Sequence, residues 1–213
     1  DSPKNLTNDP VSESYVRNVF KNQQNGAFIV YDQAGSGNYV NISSIDEDGN
    51  ILESFPKRVS SIESDQFIEN AVDTGSGIFI IWKDNRNGQD NDIYGQYFDY
   101  DGNALGSENG FVIAGYENDQ RNSMVTFNET LNEFLICWED YSNGQDYDLF
   151  CNSIDLDTSL GDGLVLENVN VDQNNFNEVV PLVSDFGFEN RRQNIPCQPL
   201  TNQCLPETVY ILV

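Results

Sequence analysis

The chain has 213 residues, with 35 acidic against 10 basic side chains and no histidine. A net charge of −25 argues against binding to nucleic acid or to an anionic membrane surface, since both need a basic footprint. The lack of histidine excludes Ser-His-Asp and Cys-His catalysis and His-ligated zinc.

A polar N-terminal arm, residues 1–13, precedes a first unit at 14–65. This unit is predicted to contain three strands, a tight Asp-Gly turn and a weaker fourth strand, followed by a polar linker to about Asp65. In chain order, the predicted segments are Tyr15–Phe20, Ala27–Tyr31, Asn38–Ile45, the turn Asp46–Asn50, and Ile51–Leu52.

The same order of strands returns in a second unit, 66–117, and in a third, 118–172. Each is centred on a hairpin in which an apolar strand ending in Trp82 or Trp138 enters a polar loop and a second strand leaves it. The second unit repeats the Asp-x-Asp-Gly-Asn turn at Asp99–Asn103 and ends in two short strands, Ala104–Leu105 and Phe111–Ile113.

Residues 173–213 contain the first half of a fourth unit, interrupted by a Cys-containing insertion. Self-similarity at about 50 residues, with four short strands per unit, is typical of a β-propeller array. We therefore predict an all-β, propeller-like array of four-stranded blades with about four repeats, the last one incomplete. No stretch shows helical periodicity.

The second hairpin carries a recognisable motif, and the third carries a partial copy with Ser142 at the arginine position and Cys151 at the last glycine position. The motif residues are Trp82, Asp84, Arg86, Gly88, Asp90, Asp92, Ile93, Tyr94, Gly95 and Gln96, followed by Asp101 and Gly102. This pattern resembles the Trp-Asp-Arg-Gly-Asp-Ile-Tyr repeats of large extracellular proteins of bacteria and ciliates. The resemblance implies a secreted or surface-exposed β-propeller repeat protein and no particular reaction.

The hairpin loops are rich in side-chain oxygens, which are the ligands that calcium prefers. The candidate calcium ligands are Asp84, Asn87, Asp90, Asp92, Asp140, Asp146 and Asp148. The alternative, which we favour, is that these side chains cap turns and that Arg86 pairs with Asp84 or Asp92 between blades. Similarly, we expect Tyr31, Trp82 and Trp138 to be core residues rather than sugar platforms, because they lie in apolar runs.

The four cysteines and three sequons indicate a secreted glycoprotein with disulfides. Cys137 and Cys151 lie on paired strands of one hairpin with a midpoint at Gly144, so a cross-strand disulfide is expected. Cys197 and Cys204 are predicted to close a small loop in the insertion, although bonds to another chain remain an alternative. The sequons, Asn5-Leu-Thr7, Asn41-Ile-Ser43 and Asn128-Glu-Thr130, are candidate N-glycan sites.

An incomplete blade leaves a strand edge that recruits a partner, either another copy of the protein or further repeats of the same chain. The leading hypothesis is therefore a non-enzymatic extracellular structural protein that self-associates, head to tail or by strand completion, into a surface filament or coat. The alternatives are a calcium- or carbohydrate-binding adhesion module and a fragment of a propeller-type glycoside hydrolase. No catalytic motif or catalytic residue can be assigned from the sequence, and no cofactor is predicted apart from the candidate calcium.

Overall fold

The computed structural model describes residues 4–7, 13–23, 25–35 and 37–156. These residues form twelve β-strands and no helix, so the predicted all-β class is confirmed for this part of the chain. None of these residues belongs to a helix that could span a membrane. The predicted fourth blade and the Cys197–Cys204 pair lie outside the described residues.

The strands form three antiparallel sheets, which follow one another along the chain. Sheet 1 has the order β1 (Glu13–Lys21), β2 (Ala27–Ala34), β3 (Asn38–Ile45) and β4 (Lys57–Arg58). Sheet 2 has the order β5 (Gln66–Asp73), β6 (Ile78–Asp84), β7 (Asp92–Phe98) and β8 (Ala104–Leu105), with β9 (Phe111–Ala114) also paired to β7. Sheet 3 has the order β10 (Gln120–Asn128), β11 (Glu133–Asp140) and β12 (Asp148–Asp155).

Two hydrophobic cores join the sheets, one between sheets 1 and 2 and the other between sheets 2 and 3. Side chains alternate between the faces of a strand, so Ile78, Ile80 and Trp82 of β6 enter the first core while Phe79 and Ile81 enter the second. An uninterrupted apolar run is therefore required in β6. By contrast, β11 alternates buried and half-buried residues along its whole length.

The fourth strand of the first unit differs from the prediction. Ile51 makes only an isolated bridge to Ile45, whereas the strand that pairs with β3 is β4, within the predicted linker. This segment is held by tertiary contacts, because Phe55 is buried and the Lys57 ammonium donates to the backbone oxygens of Asp101 (2.8 Å) and Gly102 (3.0 Å).

The first strand of each sheet contains a bulge or an irregularity in its pairing. The register shifts between Val16 and Asn18 in β1, between Ile68 and Asn70 in β5, and between Arg121 and Met124 in β10. A bulge leaves backbone groups outside the ladder and bends the strand.

Candidate functional site

The loop between β6 and β7 begins with a buried carboxylate, Asp84, which is 0% exposed. One of its oxygens, Oδ2, accepts from the Trp82 indole at 3.1 Å and from the Arg86 guanidinium at 3.0 and 2.6 Å. The other, Oδ1, accepts from the backbone N–H of Arg86 at 2.9 Å and from the Ser64 hydroxyl at 2.6 Å. Asp84 therefore fixes the strand end and the loop, and its oxygens are occupied by protein donors.

Arg86 connects this carboxylate to the rest of sheet 2. Its guanidinium carbon lies 3.7 Å from the centroid of the Tyr94 ring, and Tyr94 stacks on Trp82. The guanidinium also donates to the Asn109 carbonyl at 3.0 Å. The sequence predicted that Arg86 pairs with Asp84 or Asp92 between blades, and the structure shows the pair with Asp84, within one sheet.

The tip of the same loop gathers two further carboxylates, Asp90 and Asp92, around the amide of Asn87. The Asn87 amide nitrogen donates to both, at 3.1 Å in the case of Asp92. Its oxygen accepts the backbone N–H groups of Gln89 and Asp90 at 2.8 and 3.1 Å. Burial, and then the negative charges of Asp90 and Asp84, raise the pKa of Asp92 to about 6.

The loop between β11 and β12 repeats this arrangement without the arginine. Asp140 is buried and accepts from the Trp138 indole at 3.1 Å and from the backbone N–H of Ser142 at 2.8 Å. The Asn143 amide donates to Asp146 at 2.7 Å and to Asp148 at 2.9 Å. The two loops thus share one hydrogen-bonded turn, and its Asx geometry explains why Asn and Asp recur there.

The acidic side chains of the two loops do not gather into one cluster of ligands within the described ranges. There, no three His, Cys, Asp or Glu side chains group in a way that could hold a metal ion. Asp84 and Asp140 are tied to the strand ends, whereas the remaining candidates lie at the loop tips around Asn87 and Asn143. Calcium binding by these loops stays a prediction.

The aromatic residues at the strand ends are buried, so they are core residues as predicted. Trp82, Trp138 and Tyr31 are all in the buried class. Each tryptophan uses its indole N–H to satisfy the aspartate two residues later. A sugar platform would need an exposed ring face, which these three residues lack.

Two carboxylates that the sequence did not single out bridge neighbouring sheets at the bulged strands. Asp32 of β2 accepts the backbone N–H of Ile68 in β5 at 2.9 Å and the Arg17 guanidinium at 2.7 Å. Glu69 of β5 accepts the backbone N–H of Ser123 in β10 at 2.8 Å, and its burial raises its pKa. The sequence offered one signal for these contacts, a charged residue inside an apolar strand. It does not show the partner, because that partner is a backbone amide freed by a bulge in another sheet.

The face of sheet 3 that points away from sheet 2 is only partly covered. It carries the Cys137–Cys151 disulfide, which the sequence predicted and the structure confirms at directly paired positions. Two apolar side chains on this face are mostly exposed, Met124 at 60% and Leu149 at 53%. The Met124 sulfur accepts from the Asn70 amide of β5 in sheet 2 at 3.3 Å. Beside Leu149 lies Glu139, which pairs with Arg121 at 3.0 Å. We refer to these residues, together with Leu135, as the outer face of sheet 3.

The sequons occupy three different environments. Asn5 is exposed, Asn128 is half-buried at the end of β10, and Asn41 lies in β3 and is 5% exposed. A glycan has no room at Asn41 in this fold, since both the acceptor and Ser43 are buried. The surface therefore leaves two of the three predicted acceptors open.

Comparison with known proteins gives little further information. No protein-family model matches the chain, and no curated protein sequence matches it. Among solved structures, the chain is similar to that of Penicillium chrysogenum alpha-L-arabinanase in complex with arabinobiose. The sequence identity is 9% and the TM-score is 0.44. The match covers 64% of this chain and 44% of that protein, which is less than half its length. A similarity at this level does not bear on activity.

Proposed function

We propose that this chain is a non-enzymatic extracellular structural protein that assembles with further copies of itself by stacking one sheet on another. The observation that carries the proposal is the outer face of sheet 3. This face repeats the pattern of the two faces that the molecule already buries between its own sheets. The cross-strand disulfide supports an oxidising, extracellular setting.

The buried faces of sheets 1 and 2 carry similar residues at the same distances in sequence from the aromatic residue near the strand end. In each, the residues three and one positions before the aromatic residue are apolar and enter the next core, and the residue directly after it is charged. In sheet 1 these residues are Phe28, Val30 and Asp32, and in sheet 2 they are Phe79, Ile81 and Lys83.

Sheet 3 presents the same three positions as Leu135, Cys137 and Glu139. Glu139 is the counterpart of Asp32, the carboxylate that holds an amide of the following sheet. Its side chain is 37% exposed, and the neighbouring Met124 and Leu149 are more exposed still. A face built like a sheet–sheet interface, with exposed apolar side chains, suits a further sheet of the same kind.

The burial of the motif residues favours a structural function over a catalytic one. Trp82, Asp84 and Arg86, which carry the family resemblance, are used inside the fold to close a loop onto a strand end. Their pattern therefore specifies how a unit folds. It assigns no chemistry to the surface of the protein.

Sedimentation of the full chain over a wide range of concentration, with electron microscopy of the same samples, tests the proposal. We expect the chain to associate and Leu149→Lys to shift the association to higher concentration, because a charge would be buried in the contact. Val112→Lys is the matched control, since Val112 is 43% exposed on β9 of sheet 2, outside the proposed contact. A wild-type chain that stays monomeric throughout would rule out assembly by this face.

A further inference from the structure

The sequon at 128–130 is the one whose acceptor the fold places at a hairpin tip. Asn128 is the last residue of β10, and the chain returns into β11 at Glu133 directly opposite it. Glu129 and Thr130, which complete the sequon, are exposed. An enzyme can therefore approach this tripeptide without opening a sheet.

The local hydrogen bonds suit transfer to the amide nitrogen. The side-chain oxygen of Asn128 accepts the backbone N–H groups of Thr130 at 3.0 Å and of Leu131 at 3.2 Å, which forms an Asx turn. Among the described residues, the Asn128 amide nitrogen has no acceptor. In the transfer, this nitrogen forms a bond to the anomeric carbon of a lipid-diphosphate oligosaccharide. The bond from that carbon to the diphosphate breaks, and the nitrogen loses a proton.

The sequon at 41–43 has the opposite properties. Asn41 lies in β3, and its amide nitrogen donates to the Gln33 side chain at 3.2 Å and to the Tyr39 carbonyl at 3.4 Å. Ser43, which supplies the sequon hydroxyl, is also buried. A glycan here would remove these bonds and would have to be attached at a buried position.

We propose that Asn128 is an N-glycan acceptor and that Asn41 is not. The third sequon forms the same turn, since the Asn5 oxygen accepts the Thr7 N–H at 3.1 Å, and its modification does not bear on the contrast between Asn128 and Asn41. By strand alternation Asn128 lies on the same side of sheet 3 as Met124 and Leu135, at the hairpin end of β10, so a glycan there would border the proposed contact. The inference itself does not depend on the proposed assembly. It requires only that the chain enters a compartment that contains an oligosaccharide transferase.

The test is to express the full chain behind a secretion signal in a eukaryotic cell and to map glycosylated peptides in both the secreted and the retained chain. Treatment with a peptide N-glycosidase converts each glycosylated asparagine to aspartate, which peptide mass spectrometry locates. We expect conversion at Asn128 and none at Asn41. Thr130→Ala should abolish the glycan at Asn128, and Thr130→Ser should retain it, so loss of the glycan is separated from loss of the fold. An unmodified Asn128, or a glycan at Asn41, would overturn the proposal.

Discussion

Asp92 gives the protein a pH dependence that can be assigned to one loop. Its pKa is about 6 in the folded protein against 3.8 for an ordinary Asp, so between these values the folded state holds a proton that the unfolded chain has released. The carboxyl thus contributes most to the free energy of unfolding below pH 3.8, and this contribution is lost as the pH rises through 6.

Replacing Asp92 by Asn should therefore flatten the fall in the free energy of unfolding between about pH 4 and pH 6. Urea denaturation at several pH values measures this slope. Asp148→Asn, at the equivalent position of the third unit, is the matched control. Glu69 contributes in the same direction, because burial raises its pKa too, so some slope should remain. A slope identical to that of the wild type would show that Asp92 titrates normally.

Two arginines that stack on tyrosine rings differ in the burial of their acidic partners. Arg86 and Arg121 lie 3.7 and 3.6 Å from the Tyr94 and Tyr147 ring centroids. The acidic partner of Arg86 is fully buried, whereas Glu139, the partner of Arg121, has a side chain that is 37% exposed. Removing one member of a buried pair leaves an uncompensated charge, which costs about 3–5 kcal/mol.

We therefore expect Arg86→Ala to lower the free energy of unfolding by about 3 kcal/mol. Arg121→Ala should have a much smaller effect, because water replaces the lost partner at an exposed pair. Both variants lose a similar ring contact, so chemical denaturation of the two compares the buried and the exposed carboxylate directly. Equal losses would show that ring stacking, rather than the buried pair, dominates.

At the scale of the strand, the pattern of apolar residues indicates whether one face or both faces of that strand are buried. Ile81 lies in the run of β6 that is buried on both faces, and Leu135 lies on the half-covered face of β11. We expect Ile81→Ala to cost about 2–5 kcal/mol, as is usual for a buried aliphatic side chain. Leu135→Ala should cost less than half as much by the same denaturation assay. A comparable cost at Leu135 would mean that its face is covered as fully as the core.

The same strands show which parts of the fold can be predicted from the sequence. The runs that became β6 and β11, the Asp99–Asn103 turn and the Cys137–Cys151 pair depend on local periodicity or on hairpin register, and each was predicted correctly. The strand β4 was not, because its two residues are held by contacts with another sheet. The same holds for the carboxylate contacts at the bulges. Interactions between distant segments leave no periodic signal in the sequence. The sequence therefore identified the loops of the candidate site but not the contacts that these carboxylates make between sheets.

On the scale of the whole molecule, the chain places a two-faced sheet between two others, and the bulged first strand of sheets 2 and 3 donates an amide to a carboxylate of the preceding sheet. This arrangement is directional, since one face of sheet 2 contacts the preceding sheet and the other face contacts the following one. A directional stack has two different ends. The outer face of sheet 3 is the end that would receive a following sheet.

Assembly through this face should become stronger as salt is added. The chain carries a net charge of −25, so two copies repel each other at low ionic strength. The screening length falls from about 30 Å at 0.01 M salt to about 3 Å at 1 M, whereas an apolar contact is not weakened by this screening. We expect sedimentation to show that the associated fraction of the wild type and of Val112→Lys rises with salt. At high salt, the associated fraction of Leu149→Lys should be smaller than that of the wild type. The two variants change the net charge equally, so a difference between them reports the location of the contact. Association that decreases with salt would indicate charge pairing instead of sheet stacking.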